Sequence, residues 1–109
     1  MNSLKIINND RMKLLKNLKN NSVQLIITSP PYNIGKSYEK KETLDVYLNE
    51  QKKTLKECYR ILSKKGSLCW QVGSYFEKTE LFPLDIYIYE ICKKLGFKLR
   101  NRIIWHFEH

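Results

Sequence analysis

The sequence predicts an α/β fold, part of a doubly wound arrangement with a mostly parallel sheet. Two observations carry that expectation. Short apolar runs, several of them rich in β-branched residues, alternate with longer stretches in which apolar residues recur at helical spacing. Two of the helical stretches close on paired lysines followed by a glycine, Lys64-Lys65-Gly66 and Lys93-Lys94 before Gly96, which are helix-stop signals. Strands and helices in alternation form a parallel sheet covered by helices, because each crossover must return to the same edge.

Leu4, Ile6 and Ile7 give a first short strand, ended by Asn8, Asn9 and Asp10. Asp10 can cap a helix over Arg11 to Leu18. Asn20, Asn21 and Ser22 break the pattern before Val23, Leu25, Ile26 and Ile27, a buried strand that must end near Thr28, since Pro30 and Pro31 cannot donate ladder hydrogen bonds. Asn33 to Glu42 is polar, contains Gly35 and reads as a surface loop. Leu44, Tyr47, Leu48, Leu55, Cys58, Tyr59 and Leu62 then trace one helix face, with Lys64 and Lys65 complementing the helix dipole and Gly66 as a left-handed cap. Ser67 to Val72 is another strand, ending at Gly73 and Ser74. Pro83 opens a helix whose face is Leu84, Tyr87, Ile88, Ile91 and Leu95, and Ile103, Ile104, Trp105 and Phe107 make a last strand. Ligands of such sheets bind beyond the carboxyl ends of the strands, which gathers Asp10, Ser29 to Tyr32, Gly73 and Ser74 on one edge.

Composition narrows the function classes. At 109 residues the chain is one domain's worth, small for an enzyme holding both a cofactor and a nucleic acid. A formal charge of +9 suits a polyanionic partner, through release of counterions from phosphates, and equally suits a solvated lysine face. Cys58, Cys69 and Cys92 are odd in number and widely spaced, which argues against a disulfide framework and a zinc site and leaves reduced, mostly packed thiols. His106 and His109 lack further ligands at metal spacing, so no metal is expected. No apolar run is long enough to span a bilayer and the first ten residues lack a signal peptide's apolar core, so the expected location is cytoplasmic, with no membrane partner.

Ser29, Pro30, Pro31 and Tyr32 carry the chemistry. The lone pair of an exocyclic base nitrogen is delocalised into the ring, and acceptors for the amino hydrogens redirect it towards an incoming methyl carbon. A carbonyl within a proline pair is a well-fixed acceptor, because each Pro locks its own φ and restricts the residue before it. The Ser29 hydroxyl is a second candidate. Tyr32 can stack on a base taken out of the duplex, worth roughly 1–3 kcal/mol. Pro-Pro-Tyr alone is also an ordinary loop exit or a proline-rich ligand, but neither usually follows a buried strand with Ser in front. Tyr38, Trp70 and Gln71 are further pocket candidates, with core packing the readier account of Trp70.

The motif at the end of the Val23 to Thr28 strand resembles that of the DNA amino-methyltransferases that modify adenine N6 or cytosine N4. The stretches Thr28 to Tyr38, Gly66 to Tyr75 and Leu99 to His106 resemble the bacterial restriction-modification branch, so the similarity covers nearly the whole chain. The resemblance implies a Rossmann-like methyltransferase domain, S-adenosylmethionine as methyl donor, double-stranded DNA with base flipping, and a cognate restriction enzyme as functional partner. It assigns Ser29, Pro30, Pro31 and Tyr32 to catalysis and Asp10 and Thr28 to the cofactor side, although Asn9 replaces the Gly commonly found before the acidic residue and a helix cap explains Asp10 equally well. Ser29 favours cytosine N4 over adenine N6.

The glycines, Gly35, Gly66, Gly73 and Gly96, are never spaced as Gly-x-Gly, and none precedes the motif. That argues against small-molecule and protein methyltransferases, and against the protein-glutamine and ribosomal-RNA enzymes whose glycine turn comes earlier. It fits the permuted class, in which the catalytic motif comes first, then target recognition, then the cofactor turn. Residues 1–109 are thus expected to be the N-terminal catalytic part of a truncated methylase domain, inactive alone. A non-catalytic nucleic-acid-binding module would explain the charge but not the rigid proline pair.

Overall fold

A computed structural model describes residues 2–33, 35 and 41–106. Tyr38, Phe107 and His109 lie outside the described residues. The elements are α1 (Arg11–Lys16), β1 (Val23–Thr28), α2 (Leu44–Ile61), β2 (Leu62–Trp70), β3 (Ser74–Glu77), β4 (Glu80–Pro83) and α3 (Leu84–Leu95). β1 and β2 pair in parallel, with Ile26 opposite Leu68 and Thr28 opposite Trp70. The crossover between them is α2, so the expected α/β class and parallel sheet are both present.

α2 forms because Thr43 caps it, its hydroxyl accepting from the Val46 amide at 3.4 Å, and because one stripe can be buried: Tyr47, Gln51, Thr54, Leu55, Cys58 and Ile61. α3 follows Pro83 and stops at Gly96, whose φ of +115° only glycine adopts freely. A Cβ there would lie 2.5 Å from the Tyr59 hydroxyl, so the same glycine admits the Tyr59 ring, which meets Phe97 edge-on at 5.0 Å.

α1 is only six residues long and is held largely from outside. The Arg60 guanidinium donates to the carbonyls of Leu15 and Leu18, each at 2.8 Å, and to Asn20 Oδ1 at 2.7 Å, while its Nε pairs with Glu57 at 3.0 Å. This fork ties the C-terminal end of α1 and the turn entering β1 to the last turn of α2.

Several expectations are corrected. The first helix ends at Lys16 rather than Leu18. Leu4 to Ile7 and Ile103 to Trp105 form no strand and are exposed, because neither run has a neighbouring strand among the described residues to satisfy its backbone groups. Gly66 is not a left-handed cap: α2 ends at Ile61, the chain enters β2 at Leu62, and Lys64 and Lys65 lie within that strand. The pairing shifts between Val23 and Leu25, and a Cβ on Gly66 would meet Ser63 O at 3.0 Å and Gln24 O at 3.2 Å, so glycine is needed there for close backbone approach. Between Gly73 and Pro83 the chain makes an antiparallel hairpin, β3 with β4.

α1 and α2 lie against one face of the β1–β2 pair. On the other face Leu25 is 53% and Ile27 72% exposed. A separate cluster of Tyr47, Tyr75 and Leu84, flanked by Leu44, Leu48, Val72 and Phe82, joins the start of α2 to the hairpin and α3.

Candidate active site

Thr28 closes β1, and its carbonyl accepts from the Gln71 amide at 3.0 Å, so the two strands leave the sheet together. Ser29 to Tyr32 follow at the carboxyl end of β1. Gly73, just beyond β2, sits directly against Tyr32: a Cβ at position 73 would lie 3.4 to 3.6 Å from the Tyr32 side chain. Gly73 and the motif therefore share one sheet edge, as the strand rule requires.

Beneath the motif lies an apolar cavity of about 350 Å³, walled by Leu14 and Leu15 of α1, Thr54 and Cys58 of α2, and Ile26, Thr28 and Trp70 of the sheet. Ser29, Pro30 and Pro31 border it, as does Arg11. Trp70 is thus part of the wall, and its indole Nε1 is a buried donor with no partner among the described residues. Burial pushes the Cys58 thiol from its ordinary 9.0 up to about 11, which removes it as a nucleophile at neutral pH.

The four motif residues have distinct environments. Ser29 is exposed, and its hydroxyl has no partner among the described residues. Pro30 is buried. The Pro31 carbonyl accepts from the Tyr47 hydroxyl at 2.6 Å, and Tyr47 itself is 5% exposed. No described group donates to the Pro30 carbonyl. Of the two proline carbonyls, Pro31's is already taken.

Asp10 performs the capping role: its Oδ2 accepts from the amides of Met12 at 3.0 Å and Lys13 at 3.2 Å. Its neighbour Arg11 reaches the cavity that Thr28 and Ser29 line, which puts the start of α1 near the end of β1.

Sequence reasoning missed two residues. Asn33 is 1% exposed with a φ of +62°; its Nδ2 donates to the Glu42 carbonyl at 2.8 Å and its Oδ1 accepts from the Glu42 amide at 2.7 Å. The available signal was an Asn immediately after the motif, since Asn tolerates the left-handed region better than other side chains. Tyr47 appeared only as one more apolar position of a helix face.

The chain matches a family model described as DNA methylase over residues 23–108. It is 43% identical over 102 residues to the type II methyltransferase M.BglII of Bacillus subtilis, covering 93% of this chain and 28% of that protein. It is 34% identical over 109 residues to the DNA adenine methyltransferase YhdJ of Escherichia coli K12, covering 94% of this chain and 33% of that one. Among solved structures, TTHA0409 of Thermus thermophilus, described as a DNA modification methylase, superposes with a TM-score of 0.71 at 32% identity, over 84% of this chain and 38% of its own. The same protein complexed with S-adenosyl-L-methionine gives a TM-score of 0.65. The chain thus spans about a third of the length of these relatives. With the match running from the first residue of β1 through the motif to residue 108, the chain belongs to the DNA methylase family.

Proposed function

We propose that this chain is the target-base part of an S-adenosylmethionine-dependent DNA amino-methyltransferase of the permuted class. The observation that carries the reading is the state of the motif. A Ser-Pro-Pro-Tyr turn leaves a parallel strand with the Ser29 hydroxyl and the Pro30 carbonyl unengaged by any described group, while the Pro31 carbonyl is held by Tyr47. An exocyclic amino group has two hydrogens, and two adjacent acceptors can take both, so that the lone pair points away from them. The Tyr32 ring, supported by Gly73, would carry the flipped base. S-adenosylmethionine supplies an electrophilic methyl group on a sulfonium. The chain's own contribution is alignment, which can lower a barrier by as much as about 7–11 kcal/mol.

The residues assigned to the cofactor side fit one edge of it. Asp10 uses only Oδ2 for its cap, leaving Oδ1 as an acceptor for hydroxyl groups, and Thr28 lies at the strand exit beside Ser29. No Gly-x-Gly turn is present for close approach to the cofactor, so the remaining contacts belong to another part of the domain. Double-stranded DNA is the substrate, cytosine N4 is favoured over adenine N6 because of Ser29, and a restriction enzyme of the same specificity is the functional partner. The missing glycine turn also supports a second reading, in which the 109 residues alone bind nucleic acid without catalysis.

The decisive experiment is a chimera in which residues 1–106 replace the matching segment of M.BglII. Transfer of labelled methyl groups to DNA is expected from the chimera, its loss on Ser29→Ala or Tyr32→Ala, and none from the purified 109-residue chain. Nucleoside analysis of the product distinguishes N4-methylcytosine from N6-methyladenine. A folded chimera without transfer overturns the methyltransferase reading; transfer by the chain alone overturns the assignment of the cofactor contacts to another part of the domain.

A further inference from the structure

We propose that Tyr47 and Asn33 are positioning residues that lock the Pro31–Tyr32 segment from behind, so that the Ser29 and Pro30 acceptors and the Tyr32 ring keep one orientation. The inference rests on the methyltransferase reading above for its function, but its geometry stands independently.

The two contacts act on either side of Tyr32. On the N-terminal side, the Tyr47 hydroxyl donates to the Pro31 carbonyl at 2.6 Å. That carbonyl belongs to the peptide joining Pro31 to Tyr32, so holding it fixes the rotation of the peptide plane. On the C-terminal side, the Asn33 amide makes a paired bond with the backbone of Glu42, donating at 2.8 Å and accepting at 2.7 Å. This clasp joins Asn33 to Glu42 and holds Asn33 at a φ of +62°, which turns the chain immediately after Tyr32. An ordinary L side chain is strained in that region, whereas Asn tolerates it.

Both contacts are anchored in packed structure. Tyr47 belongs to the cluster with Tyr75 and Leu84, so its ring is held by α2, the hairpin and α3 together. Lys41, next to Glu42, is tied to the same hairpin: it donates to the Phe76 carbonyl at 2.9 Å and its ammonium lies 5.1 Å from the centre of the Tyr75 ring. The β3–β4 hairpin thus acts through Tyr47 and through Lys41 and Glu42 on one short segment. The Tyr47 bond also settles which proline carbonyl is committed. Released from Tyr47, the Pro31 carbonyl would compete with Pro30's for the same amino group and the peptide could rotate.

The test uses the isotope-labelled 109-residue chain and three variants. Tyr47→Phe removes the hydroxyl and keeps the ring in the cluster; Asn33→Asp keeps the acceptor for the Glu42 amide and loses the donor; Leu55→Ala is a core lesion that touches neither contact. Tyr47→Phe is expected to move the Pro31 carbonyl ¹³C resonance, and both Tyr47→Phe and Asn33→Asp to loosen the Tyr32 ring in relaxation measurements. Leu55→Ala, compared at a temperature giving the same fraction folded, leaves both signals at their wild-type values. A Tyr47→Phe protein with unchanged Pro31 and Tyr32 signals, or a Leu55→Ala protein that loosens Tyr32 equally, overturns the proposal. In the M.BglII chimera, Tyr47→Phe is expected to lower kcat roughly tenfold, the fold-change matching the net worth of one hydrogen bond, with KM for DNA unchanged. An unchanged kcat overturns the positioning role. A wild-type chimera that transfers no methyl group refutes the methyltransferase reading instead, and leaves the resonance comparison to decide the lock.

Discussion

Replacing Arg60 with methionine removes the fork that holds α1 to α2 while keeping an aliphatic stem of similar length. Three hydrogen bonds from a charged donor are lost, to the carbonyls of Leu15 and Leu18 and to Asn20 Oδ1, together with the ion pair to Glu57. A hydrogen bond to a charged group is worth about 1.5–3 kcal/mol net when well buried. The Arg60 side chain is 28% exposed, however, and water can reach the freed groups, so the three bonds together contribute about 2 kcal/mol. The Glu57 pair, one helical turn away, adds under about 0.5 kcal/mol. The expected loss is therefore about 2–3 kcal/mol, a large share of a domain's usual margin. Urea unfolding gives the loss as the midpoint shift multiplied by the slope. Hydrogen exchange should show the amides of Met12 and Lys13, at the Asp10 cap, losing protection before those of α2. Arg60→Lys, which offers a single ammonium in place of the planar fork, should recover less than half of the loss. An Arg60→Met protein within about 0.5 kcal/mol of wild type would refute the claim that α1 is held from outside, because that is the scatter of an ordinary surface substitution.

Leu55 is fully buried, so Leu55→Ala should cost about 2–5 kcal/mol by denaturant unfolding. Gly96→Ala meets both a positive φ and the Tyr59 hydroxyl, and should lower stability by at least about 1 kcal/mol; a neutral result would show that α3 can end without a left-handed residue. Burial raises the thiols of Cys58 and Cys92 from 9.0 to about 11, so the folded state keeps protons that the unfolded chain loses. Stability from this source is complete below pH 9 and falls as pH rises from 9 through 11, and Cys92→Ala should make the decline shallower. At pH 8 a thiol reagent should modify exposed Cys69 first, with Cys58 reacting only on unfolding; simultaneous modification of all three would contradict the burial.

The parts legible in the sequence are those whose signal is local. The period of Tyr47, Leu55 and Cys58 locates α2, Gly96 marks the end of α3, and the β-branched run before the prolines locates β1. The hairpin was not legible because its two-residue turn, Lys78-Thr79, carries none of the Asn-Gly signals, and Lys78 takes a φ of +57° regardless. Leu4 to Ile7 and Ile103 to Trp105 mislead for the opposite reason, since they have strand composition and no strand beside them among the described residues. In the site, Ser29 to Tyr32 stood out as a motif, whereas the bonds that fix it join Pro31 to Tyr47 and Asn33 to Glu42 across 16 and 9 residues. Arg60 reaches back 42 residues to Leu18, and nothing about a lone arginine on a helix announces such a partner.

The same alternation that turns half-buried Ile26 and Thr28 towards α1 and α2 turns Leu25 and Ile27 outwards, at 53% and 72% exposure. Parallel sheets are ordinarily covered on both faces, so β1 as it stands has only half of its usual environment. The uncovered face belongs to the strand whose carboxyl end leads into Ser29 to Tyr32. In the proposed reading, the layer that covers Leu25 and Ile27 comes from the part of the domain that completes the cofactor contacts, and it bears on the strand whose carboxyl end presents Ser29 and Pro30. In that reading, covering that face and assembling the cofactor edge go together, while the Tyr47 and Asn33 bonds hold the Pro31–Tyr32 segment. One segment then presents the Ser29 and Pro30 acceptors while the methyl-donor side is built elsewhere.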